Sequence, residues 1–126
     1  MIVVDTHALL WWVGGKSELS AKARAVLNAR PIGIAAITCF EITQLTERGR
    51  FALDREVTDW LEDVVALPQV AVLPLTMDVA VTAGKLRDPL RDPIDRIIVA
   101  TVLHLGVPLV TKDRKIIESG VVPTIW

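Results

Sequence analysis

The sequence has little of several features that would place it in a common class of protein. Cys39 is the only cysteine among 126 residues, so no internal disulfide can form, which suits a reducing compartment. The most apolar stretch, residues 97–110, is interrupted by polar residues, glycine and proline, and falls short of the ~20 apolar residues of a membrane span. The N-terminus lacks a charged leader before an apolar segment, which argues against a signal peptide. We therefore expect a cytoplasmic protein that does not enter the membrane.

A strong positive charge and a glycine-rich phosphate loop are also absent. The formal net charge is −1, whereas proteins that bind nucleic acid through a broad surface are usually strongly basic. Any contact with RNA must therefore use a local patch such as Lys112, Arg114 and Lys115, a bridging metal ion, or both. One cysteine with two distant histidines is weak support for thiol catalysis.

What the chain does have is apolar sequence, at 52% of its residues, arranged in alternating strand-like and helix-like segments. The length predicts one domain over residues 1–126, and the apolar content predicts a sheet covered on both faces. Strands are expected at 2–4, 33–37, 70–73 and 107–111, with a fifth, edge strand at 122–126. Helices between them predict a mostly parallel sheet of four to five strands in an α/β fold.

Local signals place the helix ends. Ser20, Thr76 and Asp92 have the chemistry of N-caps, and Pro93 suits the first helical position after Asp92. Three further assignments are a capping box formed by Thr38 with Glu41, an N-cap at Asp54, and a helix end at Gly106.

Four acidic residues stand where an apolar run gives way to a helix-like segment: Asp5, Glu41, Asp95 and Asp113. The carboxyl ends of parallel strands meet at one crevice, so the fold would bring these distant residues together. Converging carboxylates repel one another unless a hard cation lies between them, and Mg²⁺ and Mn²⁺ prefer such oxygen ligands. We interpret the pattern as a metal-dependent site for cutting a phosphodiester.

Other interpretations remain open. Each acid alone could stabilise the start of a helix, which would leave a non-catalytic α/β module that binds RNA or a protein partner. A haloacid-dehalogenase-like phosphatase needs a second aspartate two positions after Asp5, where His7 stands. A receiver domain needs an aspartate after the third strand, where Pro74 and Leu75 stand. The role of His7 stays open, and we expect the four tryptophans to pack in the core or an interface rather than stack on bases.

Four segments carry a family resemblance: VVDTHALLWW, ITCFEI, RDPIDRIIVAT and LVTKDRKI. In this order and spacing they resemble the PIN-domain ribonucleases, and among these the VapC toxins of toxin–antitoxin pairs. The resemblance implies a three-layer α/β/α nuclease domain that cleaves RNA with Mg²⁺ or Mn²⁺. It also implies a homodimer neutralised by a small VapB-like antitoxin. Similar toxins differ at three positions, which here hold Leu90, Phe40 and Ile94.

The resemblance places the acidic set on the same four residues. We assign Asp5 and Asp95 as primary metal ligands, and Glu41 and Asp113 as ligands that act directly or through water. Thr6 and Thr111 are expected to hydrogen bond to this set, and Lys112 or Arg114 to hold RNA phosphate. The RNA target, the cleaved sequence, the number of metal ions and the antitoxin family do not follow from the sequence.

Overall fold

A single sheet of five parallel strands organises the computed structural model, which describes residues 1–126. The strands are β1 (Ile2–Val4), β2 (Ile32–Ala35), β3 (Val70–Leu73), β4 (Leu109–Val110) and β5 (Thr124–Ile125). Their order across the sheet is β3-β2-β1-β4-β5, and every neighbouring pair is parallel. The α/β fold with a parallel sheet is confirmed, and β1 lies at its centre.

Seven helices cover the sheet. They are α1 (Thr6–Val13), α2 (Ala21–Ala29), α3 (Ala36–Glu47), α4 (Val57–Val65), α5 (Met77–Lys85), α6 (Pro93–Leu105) and α7 (Arg114–Ser119). None of them combines the length and the apolar character needed to cross a membrane.

Alternate side chains of β1 enter opposite cores because successive strand residues point to opposite faces. Ile2 and Val4 pack with buried residues of α1, α2, α3 and α4, whereas Val3 packs with those of α6 and α7. The sheet therefore separates two apolar cores, which confirms the three-layer α/β/α arrangement. Helix α5 packs on α6 through Val79, Ala83 and Ala100.

The strand register decides which residues follow the sheet at the same edge. Val3 lies beside Gly33 of β2 and Leu109 of β4, so these three strands end close to one another. The Asp5 amide still donates to the Val110 carbonyl at 3.1 Å, which places Asp5 directly beyond the end of β1. The residues that follow β1, β2 and β4 are thereby brought to one crevice.

Two predicted capping interactions are wrong. Strand β2 ends at Ala35 and α3 begins at Ala36, so Thr38 lies inside the helix and its buried hydroxyl has no hydrogen-bond partner. Alanine favours helix, which accounts for the early start. Helix α4 is capped by Glu56, whose carboxylate accepts from the Thr58 and Asp59 amides at 2.8 and 3.2 Å. Asp54 instead forms an ion pair with Arg55.

Candidate active site

A pocket of about 510 Å³ opens at the carboxyl edge of the sheet and collects all four predicted acids. Its lining consists of Asp5, Thr6, His7, Trp11, Glu41, Asp92, Asp95, Ile98, Lys112 and Asp113. Five of these ten residues are acidic, and Lys112 is the one lysine or arginine among them. Such a wall attracts cations and repels the phosphates of a nucleic acid.

Asp5 is fixed by hydrogen bonds to both carboxylate oxygens. It is the N-cap of α1, where Oδ1 accepts from the Ala8 amide at 2.9 Å. The hydroxyl of fully buried Thr111 donates to the other oxygen, Oδ2. Burial raises the pKa of Asp5 to about 6, although the bonds from Thr111 and Ala8 act in the opposite direction. The cap and the pocket position therefore belong to the same side chain.

Thr111 also connects Asp5 to Asp113. Its oxygen accepts from the Asp113 amide at 3.0 Å while its hydroxyl hydrogen is donated to Asp5. Asp113 in turn caps α7, since its Oδ1 accepts from the Ile116 amide at 3.0 Å. One buried hydroxyl thus sets the separation between two acids that follow neighbouring strands.

Asp95 and Glu41 are held differently, because their carboxylates make no hydrogen bond or ion pair within the chain. Asp95 lies in the first turn of α6, where Asp92 caps the helix by accepting from the Ile94 and Asp95 amides at 2.7 and 3.3 Å. Burial and then repulsion from the neighbouring acids, Asp113 foremost, raise the pKa of Asp95 to about 7. Helix capping does not account for either carboxylate.

Comparison with known proteins identifies the family. Residues 2–120 match the PIN domain, which is nearly the whole chain. This chain belongs to the PIN-domain family.

Named relatives resemble this PIN domain over almost its full length. It is 36% identical to Ribonuclease VapC22 of Mycobacterium tuberculosis over 117 residues, which is 91% of this chain and 88% of the relative. A toxin–antitoxin complex from Klebsiella pneumoniae has the same fold, with a TM-score of 0.70, 19% identity, and coverage of 100% and 97%. The M. tuberculosis toxin VapC20, described as cleaving the sarcin–ricin loop, has a TM-score of 0.70 at 18% identity, with 95% of each chain covered.

Four residues were predicted to hydrogen bond to the acids or to hold RNA phosphate; three of them lie at the pocket and one lies outside it. Thr6 and Lys112 line it, and Thr111 lies beneath it against Asp5. Arg114 is exposed and its guanidinium stands 3.7 Å from the Glu118 carboxylate, away from the pocket lining. Arg114 therefore lies outside the pocket lining, and the roles of Lys112 and Arg114 in holding RNA phosphate stay predictions.

Three residues that line the pocket were not among the predicted site residues: Asp92, His7 and Trp11. The helix cap beside Pro93 explained Asp92 so well that its carboxylate was not expected in the pocket. His7 and Trp11 are one helical turn apart at i and i+4, on a helix that begins at Asp5. That spacing was the available signal that both flank the acids.

The three departures from similar toxins fall into two groups. Leu90 is fully buried among residues of α6 and α7, and Ile94 packs partly against the same core. Phe40 is exposed beside Glu41. None of these three residues lines the pocket, so they concern packing and surface rather than the acidic set.

The donor set fits a hard divalent cation, although it is not preassembled. No three acidic, histidine or cysteine side chains are gathered closely enough to form a ready-made metal site. The buried Thr6 hydroxyl in the pocket wall has no partner within the chain. Oxygen donors and an unpaired hydroxyl suit Mg²⁺ or Mn²⁺ and its waters.

Proposed function

We propose that this PIN domain is a metal-dependent endoribonuclease that acts as the toxin of a toxin–antitoxin pair. The observation that carries the proposal is the grouping of Asp5, Glu41, Asp95 and Asp113 in one pocket from four separate parts of the chain. The name of the 36% identical relative, Ribonuclease VapC22, supports RNA as the substrate. We also propose that residues 1–126 act as one nuclease domain.

In this mechanism Asp5 and Asp95 are the primary ligands of Mg²⁺ or Mn²⁺, and Glu41 and Asp113 bind directly or through water. A bound cation would lower the pKa of water and offset negative charge on the phosphodiester during hydrolysis. Thr111 and the Ala8 amide hold Asp5 in one orientation, which reduces the reorganisation needed when substrate arrives. Asp95 and Glu41, which have no partners in the chain, are free to turn toward the centre of the pocket.

Lys112 supplies the positive charge that the acidic wall lacks. It is exposed, lines the pocket and follows Thr111 directly. Its ammonium group is suited to hold an RNA phosphate next to the one that is cut. Because the whole chain carries a net charge of −1, this local contact matters more than it would in a basic nuclease.

We further propose that the toxin is a cytoplasmic homodimer inhibited by a small VapB-like antitoxin. A structure from Klebsiella pneumoniae with the same fold is named a toxin–antitoxin complex, and two others are named as FitAB and as VapBC from Salmonella typhimurium, each bound to DNA. An arginine of such a partner could pair bidentately with the pocket carboxylates. Exposed apolar side chains on α5 and beside it provide a surface for dimerisation.

A non-catalytic module is the competing function, and one observation favours it. Asp5, Asp92 and Asp113 do cap helices, as that interpretation requires. It accounts for Asp95 as well, since an acid in the first turn of α6 stabilises the start of that helix, but it leaves Glu41 in the interior of α3 unexplained. Glu41 therefore discriminates between the alternatives.

The deciding experiment compares two glutamates of the same helix. Glu41→Gln should reduce Mn²⁺-dependent RNA cleavage by ~10²–10³, because it removes a charged oxygen ligand from the pocket. Glu47→Gln, at the exposed end of α3, is the matched control and should cleave like the wild type. Cleavage is measured by sequencing the RNA ends made with Mn²⁺ and with chelator. Equal activity of both variants, or cleavage that persists in chelator, would refute the proposal.

A further inference from the structure

Trp11 forms an aromatic wall beside the carboxylates. The indole lines the same pocket as the four acids and is only partly buried. Its ring centroid lies 5.9 Å from that of Trp126, which meets it edge-on, and 5.8 Å from the His7 ring. Lys112 Nζ stands 5.9 Å from the Trp11 centroid. Three neighbours therefore fix the position of this ring at the rim of the pocket.

Trp11 packs partly against the apolar core, as do Trp12 and Trp126, but this packing leaves part of its ring lining the pocket. Trp60 is buried in the core, and the adjacent Trp12 donates its indole N–H to Asn28 at 2.8 Å. The Trp11 indole N–H makes no hydrogen bond within the chain, and the ring has an accessible part beside five acidic side chains. An aromatic face at such a position has a use if the ligand is itself aromatic.

The electrostatics of the pocket add a second reason. RNA phosphates are repelled by the acidic wall, and Lys112 is its one lysine or arginine. A net charge of −1 provides no general attraction for nucleic acid either. A contact that does not depend on charge would therefore add to the affinity that Lys112 and a bound metal ion supply. Stacking of a base on an aromatic ring is such a contact and tolerates any base.

We propose that Trp11 is a stacking platform for one unpaired nucleobase adjacent to the scissile phosphate, with Lys112 on that nucleotide's phosphate. The proposal rests on the ribonuclease function proposed above and adds to it a residue that would contact the substrate. A base within a duplex is already stacked on both sides, so its face is not available to Trp11. The subsite therefore selects for an unpaired position rather than for a particular base.

The test combines protein variants with abasic substrates. A single-stranded RNA that the wild type cuts is prepared with one abasic ribose at each position in turn. For the wild type, an abasic ribose at one position next to the cut should raise KM by roughly 5- to 150-fold, as expected for the loss of one stacked base. The value of kcat should change little. Trp11→Leu should raise KM similarly for the intact RNA and should then be insensitive to the abasic site.

Trp12→Leu is the matched control, because it changes the neighbouring tryptophan outside the pocket. It should keep the wild-type abasic profile. Trp11→Phe should recover part of the lost affinity, which a purely structural role would not require. If Trp11→Leu retains the wild-type KM and abasic profile, the proposal is overturned. If the melting curve of Trp11→Leu shows that this variant does not fold, Trp11→Phe and the surface substitution Lys112→Ala take its place in the test.

A direct binding measurement separates this proposal from the nuclease activity. An unpaired oligoribonucleotide, added in the presence of Mg²⁺, should quench the tryptophan fluorescence of the wild type and of Trp12→Phe. The quenching should be largely lost in Trp11→Phe, and the same sequence as a duplex should quench little. A protein that shows this pattern but cuts no RNA would refute the proposed function alone. Quenching that is absent in the wild type, or unchanged in Trp11→Phe, would refute the stacking platform.

Discussion

Asp5 shows how one side chain meets a local and a long-range requirement at once. Its Oδ1 caps α1, and its Oδ2 is held by the Thr111 hydroxyl from the opposite end of the chain. Asparagine keeps one oxygen, which can accept from the Ala8 amide, but its NH2 group cannot accept from the Thr111 hydroxyl, and it carries no charge. Substituting asparagine therefore removes one of the two hydrogen bonds of Asp5 together with its charge.

Asp5→Asn should abolish Mn²⁺-dependent RNA cleavage, with a loss of at least ~10²–10³ in rate. The same substitution should relieve growth inhibition in a host that expresses the chain. Cleavage is followed on purified protein, after a mock purification has excluded contaminating nucleases. Activity near the wild-type level would show that Asp5 is not a metal ligand.

Asp95 provides a test based on pH. Its pKa of about 7 in the fold exceeds the ordinary value of 3.8, so the folded protein holds this proton to higher pH than the unfolded chain does. That contribution to stability is fully present below about pH 4 and is lost as the pH rises through about 7. In chelator, the wild type should lose stability across this range, and Asp95→Asn should be the more stable protein at pH 8.

Metal should reverse that order, because only the wild type retains the full ligand set. A cation at ten times its dissociation constant stabilises the protein that binds it by roughly 1.4 kcal/mol. Melting curves of both proteins at pH 8, in chelator and in excess Mn²⁺, measure both effects. A mutant that melts below the wild type in chelator, with neither protein responding to Mn²⁺, would mean that the acids do not act as a cluster.

Helix α6 carries the most complete set of end signals in the chain. Asp92 caps it, Pro93 occupies its first position, and Gly106 ends it in the left-handed conformation at φ 65°. These signals place Asp95 in the first turn, facing the pocket. The element therefore positions a candidate ligand through ordinary capping chemistry.

At this end of α6 we expect Asp92→Ala to lower the free energy of unfolding by ~0.5–2 kcal/mol, because the Ile94 and Asp95 amides lose their acceptor. Asp92→Ser should restore most of the loss, since serine caps helices about as well as aspartate. Urea denaturation in chelator compares the three proteins. If serine is as destabilising as alanine, the contribution comes from the charge of Asp92 rather than from its hydrogen bonds.

The same elements show what local sequence can and cannot predict. The caps at Ser20, Thr76 and Asp92 were predicted because each depends on a residue and the amides two or three positions later. The Thr38–Glu41 capping box was wrong because its i, i+3 spacing also occurs inside helices, and only the end of β2 decides between the two.

Sheet topology brings Asp5 and Asp113 together because they follow the neighbouring strands β1 and β4, whereas Glu41 and Asp95 reach the same pocket from α3 and α6. Trp11 packs against the core as expected, and it also lines the pocket, whereas Trp12 bonds to Asn28. Which of two adjacent tryptophans faces a pocket depends on the rotation of α1 about its axis. Composition does not report that rotation, whereas the four-residue spacing from His7 does.

On the whole molecule, exposed apolar side chains concentrate along α5 and the segment before it. Met77 is 79% exposed and Val81 50%, and their four-residue spacing places them on one face of α5. Leu75, just before the helix, is exposed as well. A face of this kind is costly to leave in water, and we place the proposed homodimer contact there.

The double change Met77→Glu with Val81→Lys should convert the homodimer to a monomer at micromolar concentration, because it puts charged groups into an apolar contact. The new pair has the Glu–Lys i, i+4 order that supports a helix, so α5 itself should persist. Ile117→Glu is the control, since Ile117 is 44% exposed on α7. Light scattering gives the masses; a wild-type monomer, or a dimer that survives the double change, would contradict this assignment.

The hydrogen bond between Thr111 and Asp5 joins residues 106 positions apart. During synthesis, β1 leaves the ribosome early and β2 can pair with it, but β4 is made only near the end. Until then Asp113 does not exist, Asp5 lacks its hydroxyl partner, and one edge of β1 is open. A nascent chain that stalls before residue 109 therefore has no finished pocket. The pocket therefore gains its full set of carboxylates only after β4 and Asp113 have been made.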